Sequence, residues 1–217
     1  SHDANFLLDG VGYGVSSTPM AWDIAGMQHL YGANLSTNSG DTIYNFDSSI
    51  PFYKTIWDSS GVDTFNFRNF SNGISVNLTE GELTTLSFDV DDSRWSNKQH
   101  GNLGIAFGCK IENVFLGTGD DYLEANIDSN VLSGGKGNDT LIGFRGADSI
   151  YGGQGDDTLR AGNGRDVITG GKGNDTMYGG FGLNTFEDSF DREIDQLIFK
   201  SDQWSVNWLD GKAGNSP

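Results

Sequence analysis

One cysteine, three prolines and three histidines are all that 217 residues supply of the side chains that cross-link, stiffen or bind zinc. A lone cysteine excludes an internal disulfide framework and any thiolate zinc site. Cys109 falls in Ile105-Ala106-Phe107-Gly108-Cys109-Lys110-Ile111, where alternate positions are apolar, so a buried thiol on a strand face is predicted rather than a reactive nucleophile. No run of eighteen apolar residues is present, which excludes a membrane-spanning helix, and the first residues lack the basic, apolar, small order of a cleavable signal peptide. Basic residues are also scarce, at 13 against 30 acidic ones and a net charge of −17. Such a chain repels phosphate backbones and anionic headgroups, so neither nucleic acid nor a membrane surface is an expected partner. Its natural counter-ions are cations.

Glycine is abundant instead, at 32 residues, about twice the usual share of roughly 7%. With 35% hydrophobic and 12% aromatic residues the chain is able to bury real cores in one or two modest domains, unlike a disordered acidic tail. The glycines are periodic. From Leu116 to Glu187 the sequence divides without insertion into eight nine-residue units: LGTGDDYLE, ANIDSNVLS, GGKGNDTLI, GFRGADSIY, GGQGDDTLR, AGNGRDVIT, GGKGNDTMY and GGFGLNTFE. Repeats of this kind cannot bury their apolar face alone and must stack.

Each part of the nonapeptide has a physical task. Glycine permits a tight turn over the first six residues, with carbonyls turned inward, and the last three residues form a short strand. The middle of that strand is Leu123, Leu132, Leu141, Ile150, Leu159, Ile168, Met177 and Phe186 in turn, a column of apolar side chains suited to stacking. Position six supplies Asp121, Asp139, Asp148, Asp157, Asp166 and Asp175, with Asn130 and Asn184 as the two exceptions. Stacked carboxylates repel one another unless a cation neutralises them. Carboxylate and carbonyl oxygens in flexible turns are calcium ligands; magnesium keeps more of its water, and zinc asks for nitrogen or sulfur.

The array resembles the RTX repeats of secreted bacterial proteins. The resemblance implies an all-β fold, a right-handed parallel β-roll in which two nonapeptides make one turn and calcium sits between a repeat and the next but one. It also implies ligands residue by residue. The edge formed by the odd repeats would hold one ion among Gly117, Gly119, Asp121, Gly134, Lys136 and Asp139. A second would lie among Gly135, Gly137, Asp139, Gly152, Gln154 and Asp157, and a third among Gly153, Gly155, Asp157, Gly170, Lys172 and Asp175. On the even edge Asp148 and Asp166 keep both charges, so one firm site is expected there, drawn from Gly143, Phe144, Arg145, Gly146, Asp148, Ala161, Gly162, Asn163, Gly164 and Asp166. Asp188, Asp191, Glu193 and Asp195 are candidates to close the odd edge beyond Asp175.

Ahead of the repeats, residues 18–31 read as a helix, with Thr18 as N-cap, Pro19 in the first position, Met20, Ile24, Met27 and Tyr31 on one face, and Gly32 as its end. Residues 41–114 change to short alternating runs such as Ile74-Ser75-Val76-Asn77-Leu78, which predict strands packed as a sandwich or as an extension of the roll. The expected organisation is a linker and helix over 1–35, a β-sandwich-like segment over 36–115, the β-roll over 116–187 and a C-terminal cap over 188–217. The motifs PMAWDIAGMQHLYGAN, GDTIYNF, IWDSSGVDTFNF and IAFGCKIENVFLGTGDD resemble, in order and spacing, the C-terminal half of the serralysins, secreted bacterial zinc metalloproteases. That resemblance implies further calcium ligation by Asn38, Gly40, Thr42, Asp58, Gly61, Asp63 and Glu112, with Asn38 standing where an arginine is usual and Ser60 where a glycine is.

The catalytic signature of that family, HExxHxxGxxH, does not occur: His2, His29 and His100 include no i, i+4 pair. His29 reads as a surface or packing residue and His100 as solvated. A GxSxG elbow and a phosphate-binding loop are missing as well, and the many carboxylates that a glycosidase would need occupy calcium-ligand positions. The reading is a non-catalytic, secreted calcium-binding module holding about five to eight ions, with an upstream catalytic domain, before Ser1, as its partner. It would fold on meeting extracellular calcium. The alternatives are a module of a surface or adhesion protein with a glycan or protein partner, for which Trp95, Trp204 and Trp208 are candidate contacts, or of another secreted enzyme such as a lipase or a polysaccharide-modifying enzyme. The final GKAGNSP is polar and unlike the usual type I export signal.

Overall fold

The computed structural model describes residues 19–89, 101–187, 196–199 and 207–208. The described strands are two to six residues long, and through the repeats they alternate between two sheets. The first sheet has eight strands in the order Ile43–Asn45, Thr64–Asn66, Asn113–Phe115, Val131–Lys136, Ser149–Gln154, Val167–Lys172, Thr185–Glu187 and Asn207–Trp208, every neighbouring pair parallel. The second has nine. Its parallel part runs Gln196–Phe199, Thr176–Gly180, Thr158–Arg160, Thr140–Ile142, Tyr122–Glu124 and Ser75–Asn77, and beyond it Leu83–Thr85 pairs antiparallel with strands on both sides before Gly101–Ile105 and Lys54–Ile56 finish the edge in parallel.

The register places the apolar middle residues directly over one another. In the first sheet Phe65, Val114, Leu132, Ile150, Ile168 and Phe186 are mutual partners; in the second, Val76, Leu123, Leu141, Leu159 and Met177 are. Both columns are buried and belong to one core. A one-residue slip would turn every one of them outward, so this burial fixes the register. Glycines make the intervening turns possible: Gly135 and Gly137 have φ of 101° and 117°, in the region that a side chain disfavours. Phe144 takes φ 66° at the equivalent turn position of an even repeat, the one departure in the repeats from glycine at such an angle among the described residues.

Of the two arrangements open to residues 41–114, the structure has the extension of the roll. Their strands join the same two sheets as the repeats, and Val114 over Leu132 and Val76 over Leu123 carry the columns across residue 116. The core there is aromatic: Phe46 stacks on Phe67 at 4.8 Å between ring centroids and meets Phe65 edge-on at 5.4 Å.

Two local expectations are corrected. The helix spans Ala21–Tyr31, not 18–31, and its N-cap is Met20, whose N–H donates to Asp23 Oδ2 at 3.2 Å. Pro19 thus precedes the cap. Of the expected apolar face, Met20, Met27 and Tyr31 are exposed, because the helix meets the roll through other residues: Trp22 lies edge-on to Phe107 at 4.9 Å, and Gln28 Nε2 donates to the Phe107 carbonyl at 3.1 Å. Cys109 is buried as expected, but it lies in the turn after Gly101–Ile105 and not on a strand, since Gly108 at φ 82° reverses the chain and Cys109 N–H donates to Ala106 O. Burial pushes its thiol up to about 12, so it stays protonated and inert at neutral pH. His29 is exposed in the last turn of the helix. His100, Trp95, Trp204, the side chain of Trp208 and the acidic group Asp188, Asp191, Glu193 and Asp195 lie outside the described residues.

Candidate metal centre

The residue that leads into each repeat strand is buried. Entering the second sheet these are Asp121, Asp139, Asp157 and Asp175; entering the first, Asn130, Asp148, Asp166 and Asn184. In six of the eight, all but Asp121 and Asn130, one side-chain oxygen accepts the backbone N–H of the residue 18 positions earlier, while Asp121 Oδ1 accepts from Ile74 N–H at 2.8 Å. On the odd edge the N–H of Asp121, Asp139 and Asp157 donates to Oδ1 of Asp139, Asp157 and Asp175, each at 2.8 Å. On the even edge Asn130, Asp148 and Asp166 donate likewise to Asp148, Asp166 and Asn184, at 2.8, 3.0 and 3.1 Å.

The second oxygen is left over. Oδ2 of Asp121, Asp139, Asp148, Asp157 and Asp166, and Oδ1 of Asn130, are buried without a hydrogen-bond partner. Buried polar atoms are nearly always satisfied, and an ionised one in this state is costly. Its electrostatic signature is visible: burial raises Asp157 to about 8, Asp121 and Asp148 to about 7 and Asp139 to about 6, and raises Asp166 too. Ladder neighbours push the same way, Asp139 and Asp175 on Asp157 and Asp166 on Asp148. Burial thus works against ionisation all along this periodic column, and a positive charge placed beside it would relieve that cost.

Main-chain oxygens meet the orphaned carboxylates. A methyl group added at Gly134 would collide with both Asp139 Oδ2 and the Gly152 carbonyl oxygen. The same pairing recurs at Gly152, with Asp157 Oδ2 and Gly170 O, and on the even edge at Gly143, with Asp148 Oδ2 and Ala161 O. Carboxylate and carbonyl oxygens thus converge on a space that only glycine leaves open. No group of three or more His, Cys, Asp or Glu side chains converges among the described residues, so the donors here are mainly backbone carbonyls with one or two carboxylates. That hard, oxygen-only set fits calcium and does not fit zinc.

Position-three residues take part through the main chain alone. Lys136, Arg145, Gln154, Asn163 and Lys172 have exposed side chains, while Gln154 O and Lys172 O accept from Gly137 and Gly155 N–H at 2.8 and 2.7 Å, and Asn163 O from Gly146 N–H at 3.1 Å. A carbonyl has two lone pairs, so one remains on each. Gly117, Phe144 and Gly162 likewise offer carbonyls in the turns, accepting from Lys136, Asn163 and Phe181 N–H. Gly119, Gly135, Gly146, Gly153, Gly155 and Gly164 abut the backbone of the coil before, too close for a side chain.

The group ahead of the repeats continues the even column. Thr42 N–H donates to Asp63 Oδ1 at 2.8 Å and Asp63 N–H to Glu112 Oε2 at 2.7 Å, while Asn130 Nδ2 donates to Glu112 O at 3.1 Å. Burial raises Asp63 to about 6. Asp58, also buried, accepts from Tyr44 Oη at 2.7 Å and Ser60 N–H at 3.2 Å; Asn38, at φ 49°, donates to Tyr44 Oη, and Gly61 lies against Gly40. All seven expected residues therefore lie at one end of one edge. Two features escaped the sequence reading. Tyr44 holds Asp58, and burial and then Asp58 raise its phenol. Position five of the odd repeats forms a second ladder, whose signal was the Asp, Asn, Asp, Asn recurrence directly before each position-six Asp.

Comparison with known families agrees with this geometry. The family model described as the RTX calcium-binding nonapeptide repeat (four copies) matches residues 112–141, 124–159 and 151–186. These are RTX calcium-binding repeats. Among curated proteins, the chain is 40% identical over 140 residues to the metalloprotease AprA of Pseudomonas entomophila, covering 59% of this chain and 27% of that protein. It is 39% identical over 120 residues to serralysin B of Dickeya chrysanthemi, covering 50% and 23% respectively. It is 38% identical over 129 residues to a serralysin of Photorhabdus laumondii, covering 54% and 25%. The chain therefore resembles part of the serralysin metalloproteases, and the matched stretch spans about a quarter of the length of these relatives.

Proposed function

We propose that this chain is the non-catalytic calcium module of a secreted, serralysin-like metalloprotease, folding when it meets calcium outside the bacterial cell. The observation that supports this most is the column of buried, unpartnered carboxylate oxygens beside glycine-lined carbonyls. On the odd edge Asp121, Asp139, Asp157 and Asp175 would hold ions with the turn carbonyls; on the even edge Asp148 and Asp166 would, and ahead of them Asp58, Asp63 and Glu112. About five to eight ions fit these turns. A bound calcium ion supplies the positive charge that lets the buried carboxylates ionise.

Within the cell, where calcium is scarce, mutual repulsion of the columns would keep the repeats open and fit for export. Outside, metal binding would supply the folding free energy. The exported module would then stabilise the catalytic domain joined to it. Among the described residues no helix is long and apolar enough to cross a membrane. Far-UV circular dichroism in excess chelator, then through a calcium titration with magnesium as control, tests the reading. A cooperative gain of β signal with calcium alone is expected; full β structure in chelator, unmoved by calcium, would overturn it.

A further inference from the structure

Position five, the residue before each ladder aspartate, differs sharply between the two edges. On the odd edge it is Asp120, Asn138, Asp156 and Asn174. The side chain of each of the first three accepts the N–H of the residue 18 positions later: Asn138 N–H donates to Asp120 Oδ1, Asp156 N–H to Asn138 Oδ1 and Asn174 N–H to Asp156 Oδ1, all at 2.8 Å. This ladder runs opposite to the position-six ladder, whose side chains accept from the residue 18 positions earlier. Two consecutive amides of an odd turn are thereby held from both sides. Asp156 N–H is fixed by the coil before and Asp157 N–H by the coil after.

On the even edge the clasp stops. Ala147 N–H still donates to Ser129 Oγ at 2.9 Å, but Ala147, Arg165 and Leu183 have no acceptor in their side chains. The turn that carries Asp148 thus keeps both side-chain bonds, whereas the turn that carries Asp166 has the position-six bond to Asn184 and no acceptor at Ala147 for the N–H of Arg165. The odd ladder also alternates acid and amide. Coils are about 4.8 Å apart, so successive aspartates would face each other at close range, whereas alternation with asparagine doubles the separation.

We propose that the position-five ladder sets the calcium affinity of the edge it lines, so that the odd edge fills at lower calcium than the even edge. This rests on the calcium reading of the position-six column. The position-five side chains are exposed, and those of Asp120, Asn138 and Asp156 are engaged with backbone N–H groups of the next coil; they are positioning residues. They act by holding the turn, and with it the position-six carboxylate, in the binding conformation before the ion arrives, which lowers the ordering cost of binding.

Calorimetric titration of the full chain with calcium, after chelation, tests this. The wild type should show two affinity classes. Asn138→Ala should weaken the tighter class by about two- to tenfold, the worth of one hydrogen bond, and leave the weaker class in place. Asn138→Asp, which keeps the acceptor, should retain most of that affinity. Ala147→Asn, which supplies the missing acceptor at an exposed turn, should tighten the weaker class by a similar factor and does not depend on the first variant folding. A single class in the wild type, equal weakening of both classes by Asn138→Ala, no weakening at all, or no gain from Ala147→Asn would each overturn the proposal. Absence of calcium binding by the wild type would instead refute the calcium reading itself.

Discussion

In the repeats every coil returns to its starting point after 18 residues, whereas ahead of them the same first sheet takes 21 residues between Thr42 and Asp63 and 49 between Asp63 and Glu112. The regular part is filled by one apolar residue per strand, aliphatic from Leu123 to Ile168 and then Met177 and Phe186, the irregular part by a cluster of phenylalanines that includes Phe46, Phe65, Phe67 and Phe70. The difference is one of what closes the turns. Repeat turns bury a carboxylate and a glycine, contribute almost no apolar area, and are left with unpartnered oxygens. The earlier coils hold more apolar bulk per turn, close to what an ordinary hydrophobic core supplies. The repeats therefore depend on a cation to a degree that the phenylalanine cluster does not.

The largest expected effect comes from removing that cation. With chelator present, hydrogen exchange read by mass spectrometry should show the amides of 116–187 losing protection well before those around Phe65 and Phe67; simultaneous loss would erase the contrast. A core truncation should act the other way: Phe67→Ala is expected to destabilise the calcium-loaded protein by about 3–5 kcal/mol in denaturant titration, with calcium affinity at the repeats little changed.

Acidification should separate the two states of the repeats. Asp157 is raised to about 8 and Asp121 and Asp148 to about 7, from an unfolded value near 4. For carboxylates raised in this way, the calcium-free fold is most stable below the unfolded value and loses stability as pH rises through about 6 to 8. Calcium affinity should move oppositely, falling as pH drops from 8 to 5 because protons compete for the same oxygens. Thermal melts in chelator across pH 4–8 measure the first effect, and titrations with calcium at matching pH the second. Asp157→Asn should likewise split by condition, stabilising the roll in chelator and weakening calcium binding. The smallest effect expected is that of Ile150→Val in the aliphatic column, about 0.5–1.5 kcal/mol by chemical denaturation in calcium.

Much of the repeat region was legible beforehand because its period is local. The middle residue of each strand, the turn glycines and the position-six column recur every nine residues, and the parallel register follows once Leu132, Ile150 and Ile168 must share one interior. Where the chain has no repeat, the reading lost resolution. The helix begins two residues later than expected, with Met20 rather than residue 18 as its cap, since a cap depends on which side chain closes the first turn, here Asp23; Thr18 itself lies outside the described residues. Cys109 is buried in a turn because Gly108 bends the chain where the alternation alone predicted a strand.

By itself the sequence determined the nine-residue period, the short strand in each repeat and the oxygen-only donor set, because each follows from spacing and from the chemistry of glycine and aspartate; the two edges and their parity came from the resemblance to RTX repeats. Only the tertiary structure decided the use made of each oxygen. That Oδ1 closes a bond to the preceding coil while Oδ2 stays free, that Thr42, Asp63 and Glu112 continue the even column across gaps of 21 and 49 residues, and that position five clasps the odd edge coil after coil but the even edge only between Ser129 and Ala147 are contacts between distant coils. No local pattern encodes such a contact, because it exists only once stacking has set which coil lies against which.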